Sequence, residues 1–548
     1  MYTWCLQYKT VVKGARMKLK NPDQQLNRSR AITFGIFIFA ELFLIYFLWH
    51  HIDFFLNSDD ASELILAKLL SEEKRIMSRN WYYSTEIRFL NTNLVYAPLF
   101  WITDNWHIVR MAAIVILHGI YIASTYFLCK CCKCISYFPV IALALVLPVS
   151  EDYFEFMLRG VYYIPHAVIS FIGIGLMLLY WNGDGRKKNA ALCSSCVLAV
   201  LACMGGARQM IILYLPLFMS GVVIMIRKRD RTFLTGVAAN FIAGGIGYTI
   251  NTHYMAKMYK FQVWDGISYR LFDWNRLITV INGFFVTFGF REGNINLKNT
   301  IANVIATALA GMILLALRYA WRNRTHISSE YYIIAVFYVM SAVIFILLYT
   351  ISDMQYADRY NQPILIFSYI LIAFWIKESK LRCSKKWKLY VGYGAGMLLA
   401  AMMVYLALFY QLKEKEYQNE KKEIADILVQ EGYEYGYATF WNANILTELS
   451  NGKIEMHCFG DAGKLEEEKY AAISNIENIN QTFQWLQKIE HDTEIPEGKV
   501  FIILSNNELS CCNWKNSLEQ RAPMYHSDDY VVYGFDTYHD MMQCIVSE

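Results

Sequence analysis

The 548-residue sequence predicts a polytopic α-helical membrane protein with a small C-terminal α/β domain. Hydrophobic residues make up 56% of the chain and charged residues only 18%, whereas soluble proteins carry roughly 25% charged residues. The apolar residues occur in separate runs of about membrane-spanning length. Basic residues cluster beside alternate runs, as the positive-inside rule requires of cytoplasmic loops. The small net charge of +4 therefore reflects topology, and we predict no nucleic-acid partner.

About eleven transmembrane helices are expected from the apolar runs. The runs fall at 31–50, 106–128, 136–149, 163–181, 190–204, 209–226, 233–250, 299–317, 331–350, 361–376 and 389–410. The first run begins near Ala31 and no small-residue cleavage site follows it, so it is interpreted as a retained helix and not as a signal peptide. The expected location is the cell membrane, crossed many times.

Charge sets the predicted orientation. The N-terminal tail, residues 1–30, is rich in lysine and arginine and is placed in the cytoplasm. Every second connection is then cytoplasmic, and these connections hold the basic clusters within 130–133, 186–188, 227–231, 318–324 and 377–388. The opposite connections, including the one that carries Asp59 and Asp60, are predicted to lie outside.

The two long outer connections, 51–105 and 251–297, mix apolar, aromatic and charged residues as interfacial helices do. After Tyr410 the chain becomes polar, with short strand-like runs such as 499–504 and 530–535. The expected organisation is a tail at 1–30, a transmembrane domain at 31–410 and an extracytoplasmic domain at 411–548.

The first outer connection opens with Asn57-Ser58-Asp59-Asp60. The segment Asp60-Ala61-Ser62-Glu63 matches a capping box with Asp60 as the N-cap, which explains one carboxylate without catalysis. Asp59 has no such local role, and an apolar environment would raise its pKa toward that of a general base. Capping or plain solvation remains the alternative to catalysis for both residues.

Arginines on the outer segments are candidate phosphate ligands, because the guanidinium fork binds phosphate oxygens in pairs. The candidates are Arg79, Arg159, Arg208 and Arg359. Arg208 is favoured because Gly205 and Gly206 let backbones approach closely and the preceding helix is short, so this arginine is expected to face a cavity. Snorkelling toward lipid headgroups is the alternative for each arginine, and an ion-pair network is the alternative for Arg359. The 13 cysteines form no recognisable metal pattern.

This arrangement resembles the GT-C class of integral-membrane glycosyltransferases. The resemblance covers the architecture of the whole chain, but its local motifs are short: Ser58-Asp59-Asp60, Gly206-Ala207-Arg208 and Asp358-Arg359-Tyr360. It implies an acidic residue in the first external loop, interfacial helices, a helical bundle and a soluble external domain. No motif specifies a subfamily.

The resemblance also implies a chemistry. A sugar on a polyprenyl phosphate would be the donor, used at the outer face of the membrane within the cell envelope. Asp59, with Asp60 as its nearest rival, would deprotonate the acceptor hydroxyl, and the attack would invert the anomeric carbon. Arginines would stabilise the departing phosphate. No cofactor or metal site is predicted, although dependence on a divalent metal is left open, and the acceptor is an unknown glycan, lipid or protein.

Two other functions compete with sugar transfer. A transporter or flippase of lipid-linked or anionic cargo would use the same carboxylates and arginines, but the internal repeats common in transporters are not evident. A scaffold that recruits envelope partners through its C-terminal domain would need no catalytic carboxylate.

Overall fold

The computed structural model describes residues 22–85, 87, 89–229, 231–261, 268–293, 296–379, 420–460, 483–493, 495–512 and 514–546. The apolar run at 389–410 and most of the basic tail lie outside these residues.

Helices dominate the first 380 residues. The α-helices before residue 380 are α1 Pro22–Phe55, α2 Ser58–Glu73, α3 Asn93–Leu99, α4 Trp106–Cys131, α5 Phe138–Leu145, α6 Glu151–Tyr153, α7 Ile164–Asn182, α8 Gly185–Cys203, α9 Leu215–Lys228, α10 Arg231–Ile250, α11 Ala256–Met258, α12 Trp274–Thr287, α13 Leu297–Arg322, α14 Ser329–Ile351 and α15 Gln362–Glu378. Wider π-helical turns occur at Phe154–Arg159, Met210–Tyr214 and Asn251–Met255, and 3₁₀ turns occur at Ile135–Tyr137 and Asp358–Asn361.

Seven helical segments of the described chain are long and apolar enough to cross a membrane. They are Arg30–Phe55, Trp106–Cys131, Ile164–Asn182, Met210–Arg227, Arg231–Met258, Asn299–Arg322 and Ser329–Ile351. The predicted runs at 190–204 and 361–376 also form helices, α8 and α15, and α15 is 17 residues long. The polytopic helical fold predicted from the sequence is confirmed.

The predicted helix at 136–149 differs from the observed structure. Only Phe138–Leu145 is α-helical, and at about 1.5 Å per residue eight residues cover roughly 12 Å, too little to span a bilayer. Pro148 lies in the irregular segment that follows, where its ring prevents a regular helix from continuing. The chain resumes as α6 and the π-helical turn Phe154–Arg159, so a broken helix covers this part of the bundle.

Contacts sort the helix ends into two groups. At one end, here called the basic end, Lys133 pairs with Glu330 at 2.6 Å, Asn182 bonds the same carboxylate, and Lys377 donates to the Lys133 carbonyl at 3.1 Å. At the other, the carboxylate end, Asp60 pairs with Arg159. This separation agrees with the alternation of connections predicted from charge.

The C-terminal region is an α/β unit, as predicted. Its described helices are α16 Glu420–Gln430, α17 Phe440–Leu449, α18 Asn506–Cys511, α19 Lys515–Glu519 and α20 Tyr538–Val546. Numbered along the whole chain, the strands are β1 Trp81–Tyr83, β2 Lys260–Phe261, β3 Tyr435–Ala438, β4 Glu455–Cys458, β5 Gln487–Lys488, β6 Val500–Ser505, β7 Tyr525–His526 and β8 Tyr530–Phe535.

Two sheets organise these strands. The larger one has the order β4-β3-β6-β8-β7, with β3 parallel to β4 and β6, and with β8 antiparallel to β6 and β7. Strand β6 is buried nearly throughout, as its run Val-Phe-Ile-Ile-Leu requires. The smaller sheet, β2-β1-β5, joins the C-terminal region to the connections at 51–105 and 251–297.

Candidate functional site

Helix α2 begins differently from the capping box predicted for it. Its N-cap is Asn57, whose side-chain oxygen accepts a hydrogen bond from the Asp60 amide at 2.8 Å. Asn57 also donates to Glu155 at 3.0 Å, which fixes its amide group. The predicted N-cap role of Asp60 is therefore wrong: Asp59 and Asp60 are the second and third residues of the helix. Glu63, the other half of the predicted box, accepts instead from Thr92 at 2.7 Å.

Asp60 lies in a buried ion pair. Only 1% of its surface is exposed, and its carboxylate pairs with Arg159, which is 3% exposed. Arg159 also donates to the Phe55 carbonyl and lies 3.3 Å from Glu155. Gly160 permits this close approach, because a Cβ there would lie 2.9 Å from the Asp60 carboxylate. Arg159 is thus held by protein groups, and this geometry favours a structural role over its predicted phosphate contact.

Asp59 has a different environment. Asp59 is half-buried, and no residue of the described chain hydrogen-bonds to its carboxylate. Burial raises the pKa of Asp59 to about 6, and the negative charges of Asp60, Glu155 and Glu63 act in the same direction. Arg359 partly opposes this shift. A carboxylate with such a pKa is ionised near neutral pH and can still accept a proton readily.

Arg359 and Arg208 converge on one aromatic ring. Arg359 lies in the 3₁₀ turn before α15, with its Cζ atom 5.6 Å from the Tyr360 ring centroid and 5.3 Å from that of Phe156. The Cζ atom of Arg208 lies 5.6 Å from the same Tyr360 ring and 5.1 Å from the ring of Tyr163. The charge of Arg359 also lowers the pKa of Asp59. Arg208, Arg359 and Asp59 therefore belong to one cluster, here called the Tyr360 cluster.

A cavity adjoins the Tyr360 cluster at Arg208. It is a small cavity of about 10 Å³, lined by Phe89, Leu90, His166, Ile169, Ala202, Gly205, Gly206, Arg208 and Gln209. His166 lies 2.9 Å from the amide nitrogen of Gln209. The sequence Gly205-Gly206-Ala207-Arg208 therefore places its arginine beside a cavity with mainly apolar walls.

Arg79 is not brought to the cluster. It is exposed in the turn between α2 and β1, and it makes no hydrogen bond or ion pair with the described residues. Its predicted phosphate contact stays a prediction. Among the described residues, no group of three or more His, Cys, Asp or Glu side chains is placed to hold a metal ion.

Several residues of the site were not predicted from the sequence. Glu155 lies four residues before Arg159, which is the spacing of an ion pair on a helix, so the sequence could have indicated this pair. Asp152 lies near Asp358 and Glu155, and burial together with these charges raises its pKa to about 6. Arg110 is a cation within the first turns of an apolar run, and such residues carry function or pair with a partner. It binds Glu448 of the C-terminal region.

Comparisons with known proteins bear on the fold. No protein-family model and no curated protein sequence matches the chain. The solved structure of ArnT from Cupriavidus metallidurans bound to undecaprenyl phosphate is similar, with a TM-score of 0.52 over 90% of this chain and 97% of that one. The identity is 10%. The apo state of the same protein gives a TM-score of 0.38 at 12% identity, over 87% of this chain and 93% of that one.

The likeness to undecaprenyl-phosphate-bound ArnT, a GT-C glycosyltransferase, confirms the predicted resemblance at the level of the fold. It extends over the helical bundle and the C-terminal region together, since it covers nearly the whole of both chains.

Proposed function

We propose that the protein transfers a sugar from a polyprenyl phosphate to an acceptor hydroxyl, with Asp59 as the general base. The observation that carries this proposal is the position of Asp59: a carboxylate with its pKa raised to about 6, beside Arg359 at the end of a helical bundle with a GT-C fold. The undecaprenyl phosphate bound to the similar ArnT structure supports a lipid of this class as the donor carrier.

The proposed reaction needs one base and no acid. Asp59 removes the proton of the acceptor hydroxyl while its oxygen attacks the anomeric carbon from the face opposite the phosphate. The bond between the anomeric carbon and the phosphate oxygen breaks, and its electron pair leaves with the lipid phosphate. A phosphate leaves as an anion without protonation, so no general acid is needed. Attack from the opposite face inverts the anomeric carbon, and the proton stays on Asp59 until solvent removes it.

Arg359 and Arg208 are proposed to hold the phosphate. Both guanidinium groups lie over the Tyr360 ring, so two cations stand side by side, and a guanidinium fork binds phosphate oxygens in pairs. Charge grows on the phosphate as the bond breaks, so cations already in place stabilise the transition state more than the ground state. The positive charge of Arg359 also lowers the pKa of Asp59, so the proposed phosphate ligand and the proposed base interact electrostatically.

The carboxylate end is proposed to face the outside of the cell, with the N-terminal tail in the cytoplasm and the C-terminal domain extracytoplasmic. The basic clusters at the opposite ends of the helices support this orientation. The acceptor remains a glycan, lipid or protein of unspecified identity. If proteoliposomes move undecaprenyl phosphate across the bilayer and never transfer sugar, the flippase alternative replaces this proposal.

The pH dependence of transfer tests the base. Because Asp59 acts as a carboxylate and its pKa is about 6, we expect kcat/KM to rise with pH across 5 to 7 and then level off. The donor phosphodiester stays ionised over this range. Asp152, whose pKa is also raised to about 6, is the control: the Asp152→Asn variant should keep the parental midpoint. If the pH midpoint of kcat/KM shifts in Asp152→Asn and does not shift in Asp59→Glu, the base is Asp152.

Binding of undecaprenyl phosphate tests the arginines. We expect Arg359→Ala to weaken binding about tenfold to a hundredfold, since a charge-assisted hydrogen bond contributes about 1.5–3 kcal/mol. Thermophoresis of the purified protein in nanodiscs would measure this. Arg75→Ala, at an exposed residue that follows α2, is the matched control and should bind as the parent does. Arg79→Ala in the same series decides whether Arg79 contacts the phosphate.

A further inference from the structure

The C-terminal region is attached directly to the segment that carries Asp59 and Asp60. Leu56 immediately precedes this segment, is 7% exposed, and belongs to the hydrophobic core of the C-terminal region. It packs there with apolar residues of α16 and α17, including Leu428 and Leu446. Helix α17 also packs against α2. The segment is therefore enclosed between the helical bundle and the C-terminal region.

A buried ion pair crosses this contact. The Arg110 guanidinium donates to Glu448 twice, at 2.5 Å from Nε and at 2.6 Å from Nη2. Both side chains are almost fully buried. The same Nη2 donates to the backbone carbonyl of Asp60 at 2.9 Å. Glu448 thus orients the arginine that holds the backbone of the carboxylate segment.

Further contacts keep the two regions in register. Asn451, just after α17, accepts a hydrogen bond from the Trp106 amide at the start of α4, at 2.7 Å. Strand β5 pairs with β1, and the Ile489 amide donates to the Asn80 carbonyl at 3.0 Å beyond the end of that pairing. Tyr82 of β1 donates to Asp492. The C-terminal region therefore contacts β1, which follows α2, and the start of α4, where the connection that carries α2 ends.

We infer that Glu448 is a positioning residue: through Arg110 it holds the Asp60 carbonyl, and with it the first turn of α2, where the Asp59 carboxylate is needed. The C-terminal domain then positions the segment that carries the proposed base. This inference rests on the proposed function for its effect on catalysis, but its structural part does not. A displacement of about 1 Å in a reacting group can reduce a rate by roughly a hundredfold.

Hydrogen exchange tests the structural part. In Glu448→Ala, we expect the amides in the first two turns of α2 to exchange at least tenfold faster than in the parent. Glu423→Ala removes an exposed carboxylate from the same domain and is the matched control, with parental exchange expected. Unchanged exchange in Glu448→Ala would overturn the inference, whatever the protein is found to catalyse.

A double variant separates positioning from simple packing. Replacing a buried ion pair by apolar residues often preserves stability, so Arg110→Met with Glu448→Met should recover the parental melting temperature. It lacks the donor to the Asp60 carbonyl, so kcat should stay about tenfold to a hundredfold low while KM for the donor changes little. If kcat recovers with stability, Glu448 acts only through packing and the inference fails. If Asp59→Asn transfers sugar at the parental rate, the proposed function fails and the exchange result is unaffected.

Discussion

Replacing Asp59 by Asn is expected to reduce sugar transfer by about a hundredfold to ten-thousandfold, the usual contribution of a general base. The amide keeps the shape of the side chain but cannot accept the proton of the acceptor hydroxyl. The rate would be measured with purified protein in nanodiscs and a panel of undecaprenyl-phosphate monosaccharides. KM for the donor should change little, because Asp59 is not proposed to contact the phosphate.

Two measurements separate a loss of the catalytic base from a loss of folded protein. Asp104→Asn removes an exposed carboxylate that pairs with Lys68 at the surface, and it should leave the rate unchanged. Asp59→Asn should also stabilise the protein above pH 6. The pKa of Asp59 is higher in the folded protein than in the unfolded chain, so its ionised form disfavours folding as pH rises through about 6. A parental rate in Asp59→Asn would refute Asp59 as the base.

Replacing Arg159 by Met should destabilise the protein by about 3–5 kcal/mol, because it leaves the Asp60 carboxylate buried without its partner. A lower midpoint of thermal unfolding would report this loss. Asp60→Asn combined with Arg159→Met should recover most of the stability, since neither charge then remains.

Arg291→Met is the matched control for Arg159→Met. Arg291 pairs at 3.2 Å with Glu151, whose side chain is 84% exposed, and such surface pairs contribute about 0–1 kcal/mol. Equal destabilisation by the two substitutions would mean that the Asp60–Arg159 pair contributes no more than a surface pair does.

The fold was predictable because its signals are long. Apolar runs such as 163–181 extend over many residues, basic clusters such as 186–188 stand beside them, and the bilayer accepts few alternatives to helices. The broken helix around Pro148 shows the limit of this reasoning. Hydropathy is averaged over a window, so it registers the apolar residues of 136–149 but not the Pro148 ring near the end of the run.

The site was predictable in its residue types but not in its pairings. The tetrapeptide Asn57-Ser58-Asp59-Asp60 offers two possible caps, and only tertiary contacts choose between them: Glu155 fixes Asn57, and Arg159 takes Asp60. The sequence favours Arg208 as a phosphate ligand but also admits Arg159. Arg159 pairs with Asp60, about 100 residues earlier, and Arg208 lies over Tyr360, about 150 residues later. Local sequence patterns do not encode contacts over such separations.

The burial of Leu56 in the C-terminal core has a consequence for synthesis of the chain. The carboxylate segment is made early, while the residues that enclose it, among them Leu446 and Glu448, are made some 390 residues later. Membrane insertion of the helices therefore precedes completion of the site. Under the proposed function, a chain that stops before residue 446 would be inserted in the membrane and still inactive in sugar transfer.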